Sequence, residues 1–182
     1  MWKTLPIAVV CISCAYAFAQ ATRSQPLGVT GEKLYQSTAE FMAQHPKCFL
    51  PTESLPANYK VSRYRDSDGD DRFDCRVTSV GKDRLHLFGF KVLAKSTVIA
   101  NDRVAGIFYD LRRKDLGAME RSLRERLGGP TKIEGYSGLD GCKCQAIHWS
   151  NDISDIVLNQ CGDSTPTVGL FYTRHNDLVA KP

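Results

Sequence analysis

The sequence predicts an α+β domain: a mainly antiparallel β-sheet with two α-helices packed on it. Two stretches, near 32–44 and 114–127, carry apolar residues at helical spacing. The segments between and after them alternate apolar and polar residues, as half-buried strands do. Strands and helices do not alternate one for one, which argues against a parallel sheet with crossover helices. The order indicated is helix, four strands, helix, four strands.

Upstream of the domain, Lys3 precedes an apolar run from Leu5 to Ala19, and Ala17-Phe18-Ala19 forms the small-x-small pattern that signal peptidase reads. Residues 1–19 are therefore expected to be a signal peptide cut before Gln20. The run is shorter than the roughly 18 to 20 apolar residues that cross a bilayer, and no span is expected in the mature chain. Residues 20–28 are polar and turn-rich, a flexible leader, which leaves 29–182 as a single α+β domain. Export of this kind places the protein in a periplasm or outside the cell.

Within the domain, Thr30 can cap a first helix from Glu32 to Gln44, with Leu34, the Thr38 methyl, Phe41 and Met42 on one face and His45-Pro46 at its end. Strands follow at 59–65 and 73–80, joined by an acidic turn at 66–71, and then at 84–92 and 103–111. The second helix starts at Lys114 or Asp115 and runs to Leu127. Leu116, Met119, Leu123 and Leu127 share one side, and Gly128-Gly129-Pro130 stops it. Strands near 132–134, 145–149, 155–158 and 167–174 complete the domain, separated by turns at Gly135, Gly138, Gly141 and Asn151-Asp152. No repeat of fixed period is visible. The two halves are alike only in outline, each a helix followed by a strand meander.

The formal net charge is +4, one unit of it from Lys3, and it is spread along the chain. Such a balance argues against nucleic acid or an anionic membrane as partner. The one basic concentration, Arg112-Arg113-Lys114 with Arg121, Arg124 and Arg126, also holds Glu120 and Glu125 and no aromatic residue, so it reads as a solvated helix face.

Two of the seven cysteines, Cys11 and Cys14, fall in the signal segment; Cys48, Cys75, Cys142, Cys144 and Cys161 remain. In an oxidising compartment two disulfides and one further cysteine are expected. Cys48 after the first helix and Cys75 in the second strand are plausible partners. A two-residue turn at Asn151-Asp152 opposes Cys142 to Cys161; a turn centred one residue later opposes Cys144 to Cys161, Trp149 to Ile156 and Ile147 to Leu158. The second register makes the better apolar pairs and is preferred, with Cys142 as the alternative partner. Either way the Cys142-Lys143-Cys144 motif keeps a cysteine that can attack its neighbour's disulfide, a thiol-active reading. A metal held by these three cysteines with His148 would have to compete with their oxidation, and the spacing fits no zinc pattern.

Asp66-Ser67-Asp68-Gly69-Asp70-Asp71-Arg72-Phe73-Asp74 follows the pattern D-x-D-G-D-x-x-x-D. The segment resembles the aspartate-rich calcium loops of integrin-type propeller blades and related extracellular modules. That resemblance implies calcium held by Asp66, Asp68, Asp70 and Asp74, with a backbone carbonyl near Arg72. Asp71 stands where those loops usually have glycine. A polar hairpin tip with Asp-Gly turn chemistry is the other reading.

No Gly-x-Ser-x-Gly elbow, phosphate loop or diagnostic histidine motif is present, so no catalytic residue is assigned. The leading expectation is an exported, non-enzymatic binding protein, such as a periplasmic inhibitor or immunity protein, whose partner is another protein contacted through the turns at 66–71 and 135–143. The alternatives are a calcium-stabilised extracytoplasmic module and a thiol-active enzyme using Cys142 and Cys144.

Overall fold

The computed structural model describes residues 34–65, 69–81, 84–138 and 141–172. Their elements are α1 (Thr38–Gln44), short 3-10 turns at Pro46–Phe49 and Thr52–Ser54, β1 (Tyr59–Arg65), β2 (Asp71–Thr78), β3 (His86–Leu87), β4 (Phe90–Ala100) and β5 (Arg103–Leu111). A 3-10 turn at Arg113–Asp115 leads into α2 (Leu116–Leu127), followed by β6 (Lys132–Ser137), β7 (Lys143–Ser150), β8 (Ser154–Cys161) and β9 (Thr167–Tyr172). One sheet contains all the strands in the order β1-β2-β4-β5-β9-β8-β7-β6, with β3 pairing on β4. Every pairing is antiparallel. Among the described residues no helix is long and apolar enough to cross a membrane.

The α+β class and the mainly antiparallel sheet agree with expectation, whereas the element order differs. Five strands, not four, lie between the helices. The strand expected at 84–92 is a tight hairpin: β3 turns at Phe88 and Gly89, both at positive φ, and β4 then runs on to Ala100. Sequence periodicity loses β4 after Val92 because the strand is central and bulged against β5, between Val92 and Ala94 and again between Val98 and Ile99. It is buried over most of its length on both faces, and such strands do not alternate cleanly.

The first helix also differs. Its described part starts after Ser37, whose hydroxyl and Glu40 form a reciprocal capping box. Residues 35–36 instead bond to the start of β5, Tyr35 N–H to the Val104 carbonyl at 2.8 Å and Val104 N–H to the Gln36 carbonyl at 3.0 Å. Thr30, the expected cap, lies outside the described residues, as do the expected signal peptide and leader.

The helices cover one face of the sheet. Side chains alternate along strands, and the members that enter the core, among them Phe73, Ile107, Trp149, Ile156, Leu158 and Leu170, all point to the side where α1 contributes Phe41 and α2 contributes Met119 and Leu123. Phe49 links α1 to the sheet, edge-on to Phe41 and stacked on Phe73 at 4.9 Å. At the other end the Trp149 indole donates to the Gly128 carbonyl at the close of α2, 3.0 Å away. The Cys48–Cys75 disulfide ties the turn after α1 to β2.

Each half is a helix followed by a strand meander, and the halves meet where β5 pairs with β9. A short repeat falls at that seam: Gly106-Ile107-Phe108-Tyr109 in β5 and Gly169-Leu170-Phe171-Tyr172 in β9. Phe108 stands opposite Gly169 and Phe171 opposite Gly106. Val98 and Val157 flank the two glycines in equivalent places. The outline likeness of the halves is thus an approximate two-fold arrangement.

Leu123 has no exposure, while Ile133 on the edge strand is 52% exposed. Leu123→Ala is expected to lower the unfolding free energy by about 2–5 kcal/mol, and Ile133→Ala by no more than about 0.5 kcal/mol, measured by urea denaturation.

Candidate functional site

The face of the sheet opposite the helices is built by the other member of each alternating pair. One row of opposed residues crosses it: Lys60, Arg76 and Ser96 on β1, β2 and β4, Phe108 on β5, then Gly169, Val157, His148 and Lys132 on β9, β8, β7 and β6. The centre is apolar and the flanks are charged.

At the centre the Phe108 and Phe171 rings meet edge to face, 4.9 Å between centroids, a contact worth about 0.5–1.5 kcal/mol beyond its buried area. The glycines make the space for them. A Cβ on Gly169 would stand 2.5 Å from the Phe171 ring and 3.3 Å from that of Phe108, and one on Gly106 would stand 3.1 Å from the Phe108 ring. Both rings therefore lie over the sheet, half-buried, with half-buried Val98 and Val157 beside them.

On the first half, Arg76 pairs with Asp110 across β4 and reaches Ser96 Oγ at 3.4 Å. On the second, Asp155 bridges His148 Nδ1 and Ser150 Oγ, each at 2.8 Å, while His148 Nε2 lies 3.1 Å from Glu134. The hydrogen bond from Lys132, with the charges of Lys132 and His148, holds the Glu134 carboxyl below its ordinary range. The Ser150, Asp155 and His148 order is wrong for nucleophilic catalysis, which needs the histidine between serine and carboxylate; here the carboxylate is in the middle. Lys60, Arg72, Arg76 and Lys132 interleave with Asp74, Asp110, Glu134 and Asp155 on this face, and Arg103 at the hairpin end stacks on Tyr35.

The disulfides follow the preferred expectation, Cys48 with Cys75 and Cys144 with Cys161. The register of β7 and β8 is the one centred beyond Asn151-Asp152, opposing Trp149 to Ile156 and Ile147 to Leu158. Cys144 and Cys161 lie on the open face. Cys142 Sγ is 3.7 Å from Cys144 Sγ, and all three sulfurs fall within 4.8 Å of one another. With the disulfide closed this group offers one thiol, short of the ligand set a metal needs, and His148 is engaged by Asp155 and Glu134 instead.

Of the acidic segment, Asp66 and Asp68 lie outside the described residues. Asp70 lies 3.7 Å from Arg72. Asp74 lies within β2, opposite Ser62 and Val98 on the open face. Its Oδ1 is buried without a hydrogen-bond partner, and burial raises its pKa above the ordinary 3.8 against the pull of Arg76 and Lys60. Sequence reasoning missed Phe108, Phe171 and the Arg76–Asp110 pair as members of one surface. The repeated Gly-Ile-Phe-Tyr and Gly-Leu-Phe-Tyr was the signal that could have found the two rings.

Comparison of the chain with protein-family models, with curated proteins and with solved structures finds no match.

A raised carboxyl pKa fixes the sign of a pH effect. Below the ordinary value Asp74 is neutral in folded and unfolded chains alike. As the pH rises past it the unfolded chain ionises first, so stability falls up to the folded pKa and stays lower above it. Asp74→Asn is expected to raise the melting temperature at about pH 7 and leave it unchanged at about pH 3. A lower melting temperature at neutral pH would mean that the ionised carboxylate stabilises the fold.

Proposed function

We propose that this chain is an exported, non-enzymatic binding protein that docks another protein against the open face of its sheet, in the manner of an inhibitor or immunity protein that covers its partner's site. The observation that carries the reading is the Phe108–Phe171 pair laid over Gly106 and Gly169 and bordered by fixed ion pairs. An apolar, aromatic centre inside a polar rim is the anatomy of protein interfaces. Tyrosine, tryptophan and arginine dominate interface energetics, and rigid aromatic rings lose little entropy on binding. Here the glycines leave the space in which the two rings lie against the sheet, packed edge to face on one another.

The kind of partner follows from charge. Nucleic acid and anionic membranes select surfaces with a clear excess of cations. This face interleaves both signs, which suits a folded protein that presents an apolar side chain ringed by acidic and basic groups. Export is supported by the Lys3, Leu5–Ala19 and Ala17-Phe18-Ala19 pattern and by two disulfides, which persist in oxidising compartments.

The test is to recover the partner from the extracytoplasmic fraction of the native host and to titrate the purified pair. Phe108→Ala with Phe171→Ala is expected to weaken the complex about 30-fold or more, the effect of losing a hot spot. Arg121→Ala on α2 is expected to leave it unchanged. Equal binding by the double variant, with its fold verified by circular dichroism, would overturn the reading, and so would failure to recover any partner.

A further inference from the structure

We propose that Cys142, Cys144 and Cys161 form a thiol–disulfide exchange site, in which the bond migrates between the pairings Cys144–Cys161 and Cys142–Cys144. This inference is independent of the docking reading. Cys142 lies outside both disulfides and is partly exposed, so solvent can take its proton. Its sulfur lies 3.7 Å from Cys144 Sγ, about van der Waals contact; the three sulfurs all lie within 4.8 Å of one another, so Cys142 flanks the bond and its side chain must turn to bring the thiolate in line behind Cys144 before it attacks.

The step balances without an outside oxidant. The Cys142 thiolate forms a bond to Cys144 Sγ, the Cys144–Cys161 bond breaks, and its electron pair leaves on Cys161, which takes up a proton from water. The leaving sulfur has a partner in place: the Tyr136 hydroxyl, which now donates to Asn159 Oδ1 at 2.8 Å, lies 3.6 Å from Cys161 Sγ and can turn its proton toward a thiolate.

The backbone keeps the three sulfurs together. Gly162 has φ 44°, and a Cβ there would stand 3.0 Å from Cys142 Cβ, so glycine leaves room for Cys142 beside the end of β8. Gly162 N–H bonds to the Lys143 carbonyl at 3.0 Å and Gly138 N–H to the Cys142 carbonyl at 2.8 Å, which holds the segment from both sides. In one pairing β7 and β8 are stapled together. In the other the bridge lies within β7 and its approach, and the Cys161 thiol stands on the face that carries Phe108 and Phe171.

The experiment is maleimide alkylation of the full chain, purified without reductant, followed by non-reducing proteolysis and mass spectrometry read at residues 142, 144 and 161. The expected result is label on both Cys142 and Cys161, the Cys161 label accompanied by a Cys142–Cys144 bridge. Label confined to Cys142, with Cys144–Cys161 as the sole bridge, would overturn the proposal. Label on Cys144 would also overturn it, because the bond would then join Cys142 to Cys161. In Cys161→Ser, which leaves Cys48–Cys75 intact, there is no bond to exchange, and dissolved oxygen supplied as the oxidant is expected to join the Cys142 and Cys144 thiols in a bridge that resists alkylation; label on both after exposure to oxygen would show that the alternative pairing cannot form and would overturn the proposal.

Discussion

The pairing of β5 with β9 is the contact on which the rest of the sheet depends. Each half supplies a helix and a strand meander, and each meander alone would end in an open edge of unpaired backbone groups. Joining Gly106–Asp110 to Thr167–Phe171 removes both of those edges at once. On the helix side the seam sets Ile107 against Leu170 and Tyr109 against Val168, in the core beneath the helices. On the other side the same register sets Phe108 opposite Gly169 and Phe171 opposite Gly106, and each ring lies against the glycine two residues before it on its own strand. One set of hydrogen bonds thus places the core and the candidate docking centre back to back.

That arrangement explains how this face, on which the described residues place no second layer, keeps a defined shape. Rings over glycines hold the centre, and charged groups are tied to neighbours on adjacent strands, Arg76 to Asp110 and Asp155 to both His148 and Ser150. Ion pairs at such partly exposed places contribute little to stability, typically about 0–1 kcal/mol. Their effect is on orientation: each holds a charge at a defined point of the face.

Much of the second half was legible in the sequence because its strands are half-buried and alternate. The apolar pairs Trp149 with Ile156 and Ile147 with Leu158 choose one register, and that register carries Cys144 to Cys161. The first half was less legible where burial is two-sided. In β4 Ala94, Lys95, Ser96 and Thr97 are all buried, and a run of small and polar residues shows no period. The open face was illegible for a different reason. Alternation in β5 and β9 separates Phe108 from Ile107, yet it does not say which of them meets the helices; that depends on where α1 and α2 pack. The turns at 66–71 and 135–143 are marked in the sequence by their polar and glycine residues, whereas the Phe108–Phe171 contact and the Arg76–Asp110 and His148–Asp155 pairs join side chains on different strands, which local sequence does not bring together.

The most direct measurement of the central claim is side-chain footprinting by hydroxyl radicals, with and without the bound partner. Docking on the open face requires that oxidation of Phe108, Phe171 and His148 fall on binding while residues on the helix side, such as Phe88 and Met42, react as before. Protection of the helix side, or of the turns flanking β2 and β7 with Phe108 and Phe171 still reactive, would contradict it.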